Sequence, residues 1–176
     1  MVFEEKTISS ELIYEGSLLK VRRDKVTSVN GESYREILEH NGGAVILPID
    51  EDGTVYLVKQ FRKAVEKVML EVPAGKIDPG EDPFETAKRE LREETGITAK
   101  EITHLTDIYP SVGYSGEVLY IYMAKGLTFG ETDFDENEAI DMVKMSLDEA
   151  YDLVMKGEIS DAKSIVAILM AKNLSK

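Results

Sequence analysis

Apolar and polar positions alternate, with interruptions, through residues 6–15 (KTISSELIYE) and 18–29 (LLKVRRDKVTSV), which reads as two strands. Asn30-Gly31 is a hairpin turn signal, and residues 33–39 form the returning strand. Gly42-Gly43 breaks the pattern. Residues 44–49 (AVILPI) are then an unbroken apolar run, typical of a central strand, and Glu51-Asp52-Gly53 turns the chain into a partner strand at 54–60. Residues 67–72 lead into a glycine loop that opens onto a helix. Strands near 102–109, 117–124 and 140–146 follow. Two helices, 147–156 and 161–173, close the chain with apolar spacings of three and four, and Ser146 and Ser160 are placed to cap them. Strands, a helix, strands and then helices predict an α+β fold, an α/β/α sandwich on a mixed sheet. The Gly42-Gly43 break sets off residues 1–41, a small antiparallel sheet, from a main domain over 42–176.

The helix after the glycine loop has a legible start and stop. Pro79-Gly80 is a turn signal, Asp82 a good N-cap and Pro83 a good first helical residue, with Glu85 three positions after the cap. Phe84, Ala87, Leu91 and Thr95 give its apolar side, and Gly96 ends it. Its polar side carries Arg89-Glu90-Leu91-Arg92-Glu93-Glu94. At about 100° per residue, Glu90 and Glu94 lie roughly 40° apart on one face, flanked by Glu93. Three carboxylates so placed repel one another unless a cation sits among them. Hard divalent ions prefer oxygen ligands, so the spacing points to Mg²⁺, with Mn²⁺ as the alternative.

Composition narrows the field. The 176 residues carry a formal net charge of −13, which argues against a nucleic-acid-binding surface. An anionic substrate would be repelled at long range and would need metal ions and local arginines to be held. With no cysteine, disulfides and thiol chemistry are excluded; His40 and His104, the two histidines, are far apart in sequence and make a poor zinc pair. No stretch approaches the ~20 apolar residues of a membrane span, and the chain opens on Glu4, Glu5 and Lys6, so a cytoplasmic location is expected.

The segment from Gly75 to Ile97 resembles the Nudix box, the signature of the Nudix hydrolase superfamily. Gly75, Glu81, Arg89, Glu90, Glu93, Glu94 and Gly96 match its fixed identities, and Leu91 and Ile97 its apolar positions. Flanking runs are similar to the ADP-ribose pyrophosphatase group: Tyr34-Arg35-Glu36, Gln60-Phe61-Arg62-Lys63, Leu70 to Ile77, Tyr109 to Glu117, and Asp135-Glu136-Asn137-Glu138. One departure is Ser111-Val112-Gly113, where that group commonly has Ser-Pro-Gly. The resemblance implies a Nudix-type sandwich and a homodimer formed through the N-terminal sheet. It also implies metal ligation by Glu90, Glu94 and the Ala74 carbonyl, with Glu93 as a further ligand or an orienting group.

The activity so implied is Mg²⁺-dependent hydrolysis of ADP-ribose, a nucleoside diphosphate sugar, to AMP and ribose 5-phosphate. The alternatives are another nucleotide sugar, such as GDP-mannose, or a noncatalytic module that senses ADP-ribose-like ligands. The general base is expected in the acidic loop 133–138, at Glu138 or else Glu136, as the resemblance implies. Arg89 is expected to orient the acids and Gly75 to let loop and helix pack closely. Arg62, whose guanidinium forms a bidentate fork, is the candidate for holding phosphate or the terminal ribose. Arg35 and Glu36, from a partner subunit, are candidates for reading the adenine, and Tyr114 or Phe3 for stacking on the base.

Overall fold

The computed structural model describes residues 2–133 and 139–174. The chain divides into two compact units. One comprises Met1–Gly42 with Tyr109–Val118, the other Gly43–Ile108 with Leu119–Lys176.

The first unit is an antiparallel meander of β1 (Thr7–Glu15), β2 (Lys20–Ser28) and β3 (Gly31–Glu39). The turn at Asn30-Gly31 closes the β2–β3 hairpin with Gly31 at φ 121°, a conformation glycine supplies without steric cost. Its polar interior centres on Asp24, which is 3 % exposed and accepts from Ser10 Oγ at 2.6 Å and Arg22 Nε at 3.1 Å. The 109–118 segment joins this unit by backbone bonds: Leu38 N donates to the Tyr114 carbonyl at 2.8 Å, and Gly116 N to the Leu38 carbonyl at 3.1 Å. No local sequence pattern links that segment to the N-terminal strands. Strand β1 is exposed along all nine residues, Ile8, Leu12, Ile13 and Tyr14 included.

The second unit holds β4 (Gly43–Pro48), β5 (Thr54–Arg62), β6 (Lys67–Glu71), β7 (Ala74–Lys76), α1 (Pro83–Thr95), β8 (Ile97–Ile108), β9 (Leu119–Phe129), β10 (Ile140–Ser146), α2 (Leu147–Met155) and α3 (Ala162–Leu174). Its strands form two sheets, ordered β7-β4-β9-β8 and β10-β5-β6; β4 and β9 run parallel and the other pairs antiparallel, so the first sheet is mixed. Every residue of β4 is buried, as its unbroken apolar run requires. Ala44 and Ile46 pack with Ala87 and Leu91 of α1; Val45 and Leu47, pointing the other way, pack with Ala167 and Ile168 of α3. Each such side chain contributes about 1.5–3 kcal/mol by leaving water. The result is the expected sandwich, with α1 on one face of β4 and α3 on the other. No helix among the described residues is long and apolar enough to cross a membrane.

Boundaries differ from the sequence pattern where pairing overrides propensity. The loop read at 74–76 is a three-residue strand on β4. Strand β8 begins at Ile97 because residues 97–101 pair with Phe129 to Lys125 of β9, although Ala99, Lys100 and Glu101 are weak in β-propensity. Helix α1 begins as its sequence predicts, with the Asp82 side chain accepting from Phe84 N and Pro83 in the first turn, and it ends at Gly96 in the left-handed conformation. Ser146 caps α2 in a full capping box with Glu149. At α3 it is Asp161, not Ser160, whose carboxylate accepts from Ser164 N, because an acid three residues ahead of that N–H is placed to reach it.

Candidate active site

Helix α1 presents its acids toward the β7 backbone. Glu94, on the last turn, is 4 % exposed, and its Oε2 accepts from Ala74 N at 3.0 Å. One turn earlier, the Glu90 carboxylate lies against the Cα of Gly75. A Cβ at that position would fall 1.9 Å from Glu90 Cδ and Oε1. Gly75 is therefore required for contact, since its φ is not in the left-handed region. Beside this contact lies a cleft of about 470 Å³ between residues 74–78 and α1, with Glu90 and Glu93 on its wall.

Arg89 organises the acids. Its Nε and Nη2 fork onto both oxygens of Glu81 at 3.0 Å each, while Nη1 reaches Glu90 at 2.6 Å and Glu93 at 3.0 Å. Nη2 also donates to the Lys76 carbonyl at 3.2 Å, tying the helix to β7. The hydrogen bonds from Arg89 hold the Glu81 carboxyl at about 2, and those to Glu81 raise the pKa of Arg89. The repulsion among the acids is thus already offset by a guanidinium. Among the described residues no three acidic or histidine side chains stand as a closed metal-holding group. The donor chemistry nonetheless suits a hard divalent cation. Carboxylates of Asp78, Glu90 and Glu93 line the wall beside Arg89 and Lys76, and the missing Gly75 side chain leaves room for the Glu90 carboxylate.

The remaining expected residues fall in several places. Arg62 does not stand free: its Nε and Nη2 fork onto Glu71 at 2.8 Å each. Burial alone would push the Glu71 carboxyl up, but the Arg62 hydrogen bonds and the charge of Lys163 outweigh it and hold the group below the usual carboxylate range. The Arg62 guanidinium is held protonated first by those Glu71 bonds and further by the Glu94 charge, which places Arg62 within electrostatic reach of the acidic helix. Arg35, Glu36, Tyr114 and Phe3 belong to the other unit. There Arg35 is engaged with Glu5, Ser33 and the Tyr34 carbonyl, Glu36 is exposed opposite Arg23, and Phe3 and Tyr114 are about half exposed. Glu136 and Glu138 lie outside the described residues. The described residue nearest them on one side, Asp133, donates its N–H to the Glu93 carbonyl at 3.0 Å and accepts from Arg92 at 3.2 Å; on the other side Ile140 pairs with Gln60.

Two features escaped the sequence pattern. The Arg89–Glu81 fork spans the loop-to-helix turn, and only its place in the spaced motif hinted at it. The Arg62–Glu71 fork joins neighbouring strands, but their register sets Arg62 opposite Lys67 and Glu71 opposite Val58, so only the reach of the two long side chains brings them together.

The NUDIX domain model matches residues 39–167. The chain is 40 % identical to the ADP-ribose pyrophosphatase of Bacillus subtilis (strain 168), covering 94 % of this chain and 91 % of that protein. It is 39 % identical to the methanol dehydrogenase activator of Bacillus methanolicus, covering 95 % and 92 %. Among solved structures, a crystal structure of an ADP compounds hydrolase superposes with a TM-score of 0.86 over 99 % of this chain and 95 % of that one, at 23 % identity, which speaks to the fold.

Proposed function

Because the chain belongs to the Nudix family, we propose that it hydrolyses the diphosphate bond of ADP-ribose, giving AMP and ribose 5-phosphate. The observation that carries the reading is the pair of Arg89-ordered carboxylates on the cleft wall, Glu90 and Glu93, with Glu90 lying against Gly75. The likeness to a named ADP-ribose pyrophosphatase over nearly the whole chain supports the choice of substrate.

Glu90 and Glu94, with the Ala74 carbonyl and Glu93, would hold a divalent cation, Mg²⁺ or Mn²⁺. When bound, such an ion neutralises diphosphate oxygens and lowers the pKa of a coordinated water. The chain's own groups do the rest. Arg89 keeps Glu90 and Glu93 oriented through charge-assisted hydrogen bonds. Arg62, anchored on Glu71 along one edge, offers its remaining N–H groups to a phosphate or ribose oxygen. Glu138, or Glu136 in its place, accepts the proton of the attacking water. Support for that assignment is the anchoring of Asp133 at Glu93 and of Ile140 at Gln60, which ties the described residues on either side of 134–138 to the elements that carry the acids and Arg62.

The homodimer and the reading of adenine by Arg35 and Glu36, with Tyr114 stacking, are part of the same proposal, as are residues 1–41 as a dimerising subdomain and a cytoplasmic location. The continuous exposure of β1, with four large apolar side chains and an unpaired strand edge, supports a second copy as its cover. A second reading, action on a dehydrogenase partner, is favoured by the likeness to the methanol dehydrogenase activator. A panel of nucleotide sugars and dinucleotides, assayed with Mg²⁺ and Mn²⁺ and resolved by chromatography, tests the proposal. AMP and ribose 5-phosphate from ADP-ribose are the expected products. Faster turnover of GDP-mannose would move the substrate, and binding without turnover would make the chain a sensor.

A further inference from the structure

The acidic helix is not the only charged cluster in the second unit. Glu71, at the end of β6, is 2 % exposed. Both its oxygens are already forked by Arg62, which makes the pair electrically complete. Yet Lys163, on the first turn of α3, also donates to Glu71 Oε2. Its side chain is only 11 % exposed, and it bonds Asp161 at 2.9 Å. Asp161 in turn accepts from the backbone and hydroxyl of Ser164, at 3.0 and 2.6 Å, and Ser164 Oγ accepts from Val72 N at 2.8 Å. The first turn of α3 therefore grips Glu71 and Val72 by two separate links. A short run further on, Ala74 N is bonded to Glu94 and Gly75 lies against Glu90.

Two cations, Arg62 and Lys163, thus face two carboxylates, Glu71 and Asp161, although burying the Lys163 ammonium carries a desolvation cost. That ammonium has a use if the charge of Arg62 is needed elsewhere. Arg62 keeps 41 % of its side chain exposed, and its Nη1 takes no part in the fork to Glu71. With Lys163 sharing the Glu71 carboxylate, the outward edge of the guanidinium is left with positive charge for an anion. Without Lys163, Arg62 alone faces the charges of Glu71 and Asp161, beside the negative Glu94.

We infer that Lys163 is a positioning residue for substrate binding: through Glu71 it fixes the Arg62 guanidinium and leaves its outer edge able to receive a phosphate of a nucleoside diphosphate. This rests on the proposed role of Arg62 at the hydrolytic site.

The test uses the full chain with Lys163→Met and Lys163→Arg. Steady-state kinetics on ADP-ribose at saturating Mg²⁺ should show KM raised about tenfold or more in Lys163→Met with kcat within about threefold, and KM restored to within about threefold by Lys163→Arg. In ¹⁵N NMR spectra, the Arg62 Nε–H signal, assigned by its loss in Arg62→Lys, should be sharp and exchange-protected in the wild type and in Lys163→Arg, and broadened or rapidly exchanging in Lys163→Met. A lowered Tm with unchanged KM and an unchanged Arg62 Nε–H signal would make Lys163 a structural residue and overturn the inference. Should Lys163→Met fail to fold, Lys163→Gln, which keeps N–H donors without the charge, is read by the same criteria. If the wild type turns over no nucleoside diphosphate compound, the reading of the site falls on its own. The Arg62 signal in the Lys163 variants then decides the positioning role, upheld if it changes and refuted if it does not.

Discussion

Replacing Gly75 by alanine separates the geometry of the acids from the stability of the fold. The added Cβ would lie 1.9 Å from Glu90 Cδ and Oε1 and 2.3 Å from Oε2. Comfortable contact needs about 3.5–4.0 Å, so the carboxylate must retreat by roughly 1.5–2 Å. The backbone at this position accepts alanine, so the tip of a flexible side chain absorbs the clash. Retreat strains or breaks the 2.6 Å bond from Arg89 Nη1 to Glu90, a charged hydrogen bond worth about 1.5–3 kcal/mol. Alanine returns about 0.4–1 kcal/mol by restricting the unfolded chain. The net loss is about 0.5–2.5 kcal/mol, a fall in Tm of about 1–10 °C for a chain of this size. A ligand displaced by more than 1 Å should cost about a hundredfold or more in turnover of ADP-ribose at saturating Mg²⁺. Calorimetry and steady-state kinetics on the same preparation make the comparison. Activity within about threefold of wild type would show that the Glu90 contact has no part in the chemistry. A fall in Tm beyond about 15 °C would show that the backbone, not the carboxylate, took up the overlap.

Glu94→Gln should lower turnover by about two orders of magnitude or more, with stability within about 1 kcal/mol, because glutamine still accepts from Ala74 N while losing the charge; near-normal turnover would remove Glu94 from the site. The Glu81 carboxyl, held at about 2 by Arg89 against an ordinary 4.5, contributes stability that is present above pH 4.5 and lost as pH falls through 2. Glu81→Gln should therefore be less stable than wild type at pH 7 by on the order of 2 kcal/mol, allowing for solvent screening, and the gap should narrow toward pH 2; urea unfolding that shows a constant gap refutes it. Ser146→Ala removes the capping box of α2 and should cost about 1 kcal/mol, lowering Tm by about 2–4 °C with ADP-ribose turnover unchanged.

The sequence by itself determined the parts whose physics is local. A run of apolar residues at 44–48 must be buried on both faces, and β4 is. Asp82, Pro83 and Gly96 bound one helix because caps act within a turn or two, and the helical period alone puts Glu90, Glu93 and Glu94 on neighbouring positions. The spaced motif also marked Arg89 as the residue that orders them.

What only the tertiary structure decided depends on groups brought together across the chain. Strand pairing started β8 at Ile97 and attached residues 109–118 to the N-terminal sheet. The contact between Glu90 and Gly75 could be anticipated as close packing, but its depth follows from where α1 lies over β7. Arg62, read from sequence as the candidate for holding phosphate or the terminal ribose, is forked by Glu71 from the next strand, and Glu71 is gripped by Lys163 from the last helix. Periodicity reports which face a side chain occupies; it carries no record of which distant charge the fold will set against it, because that pairing exists only once burial has removed the competing water.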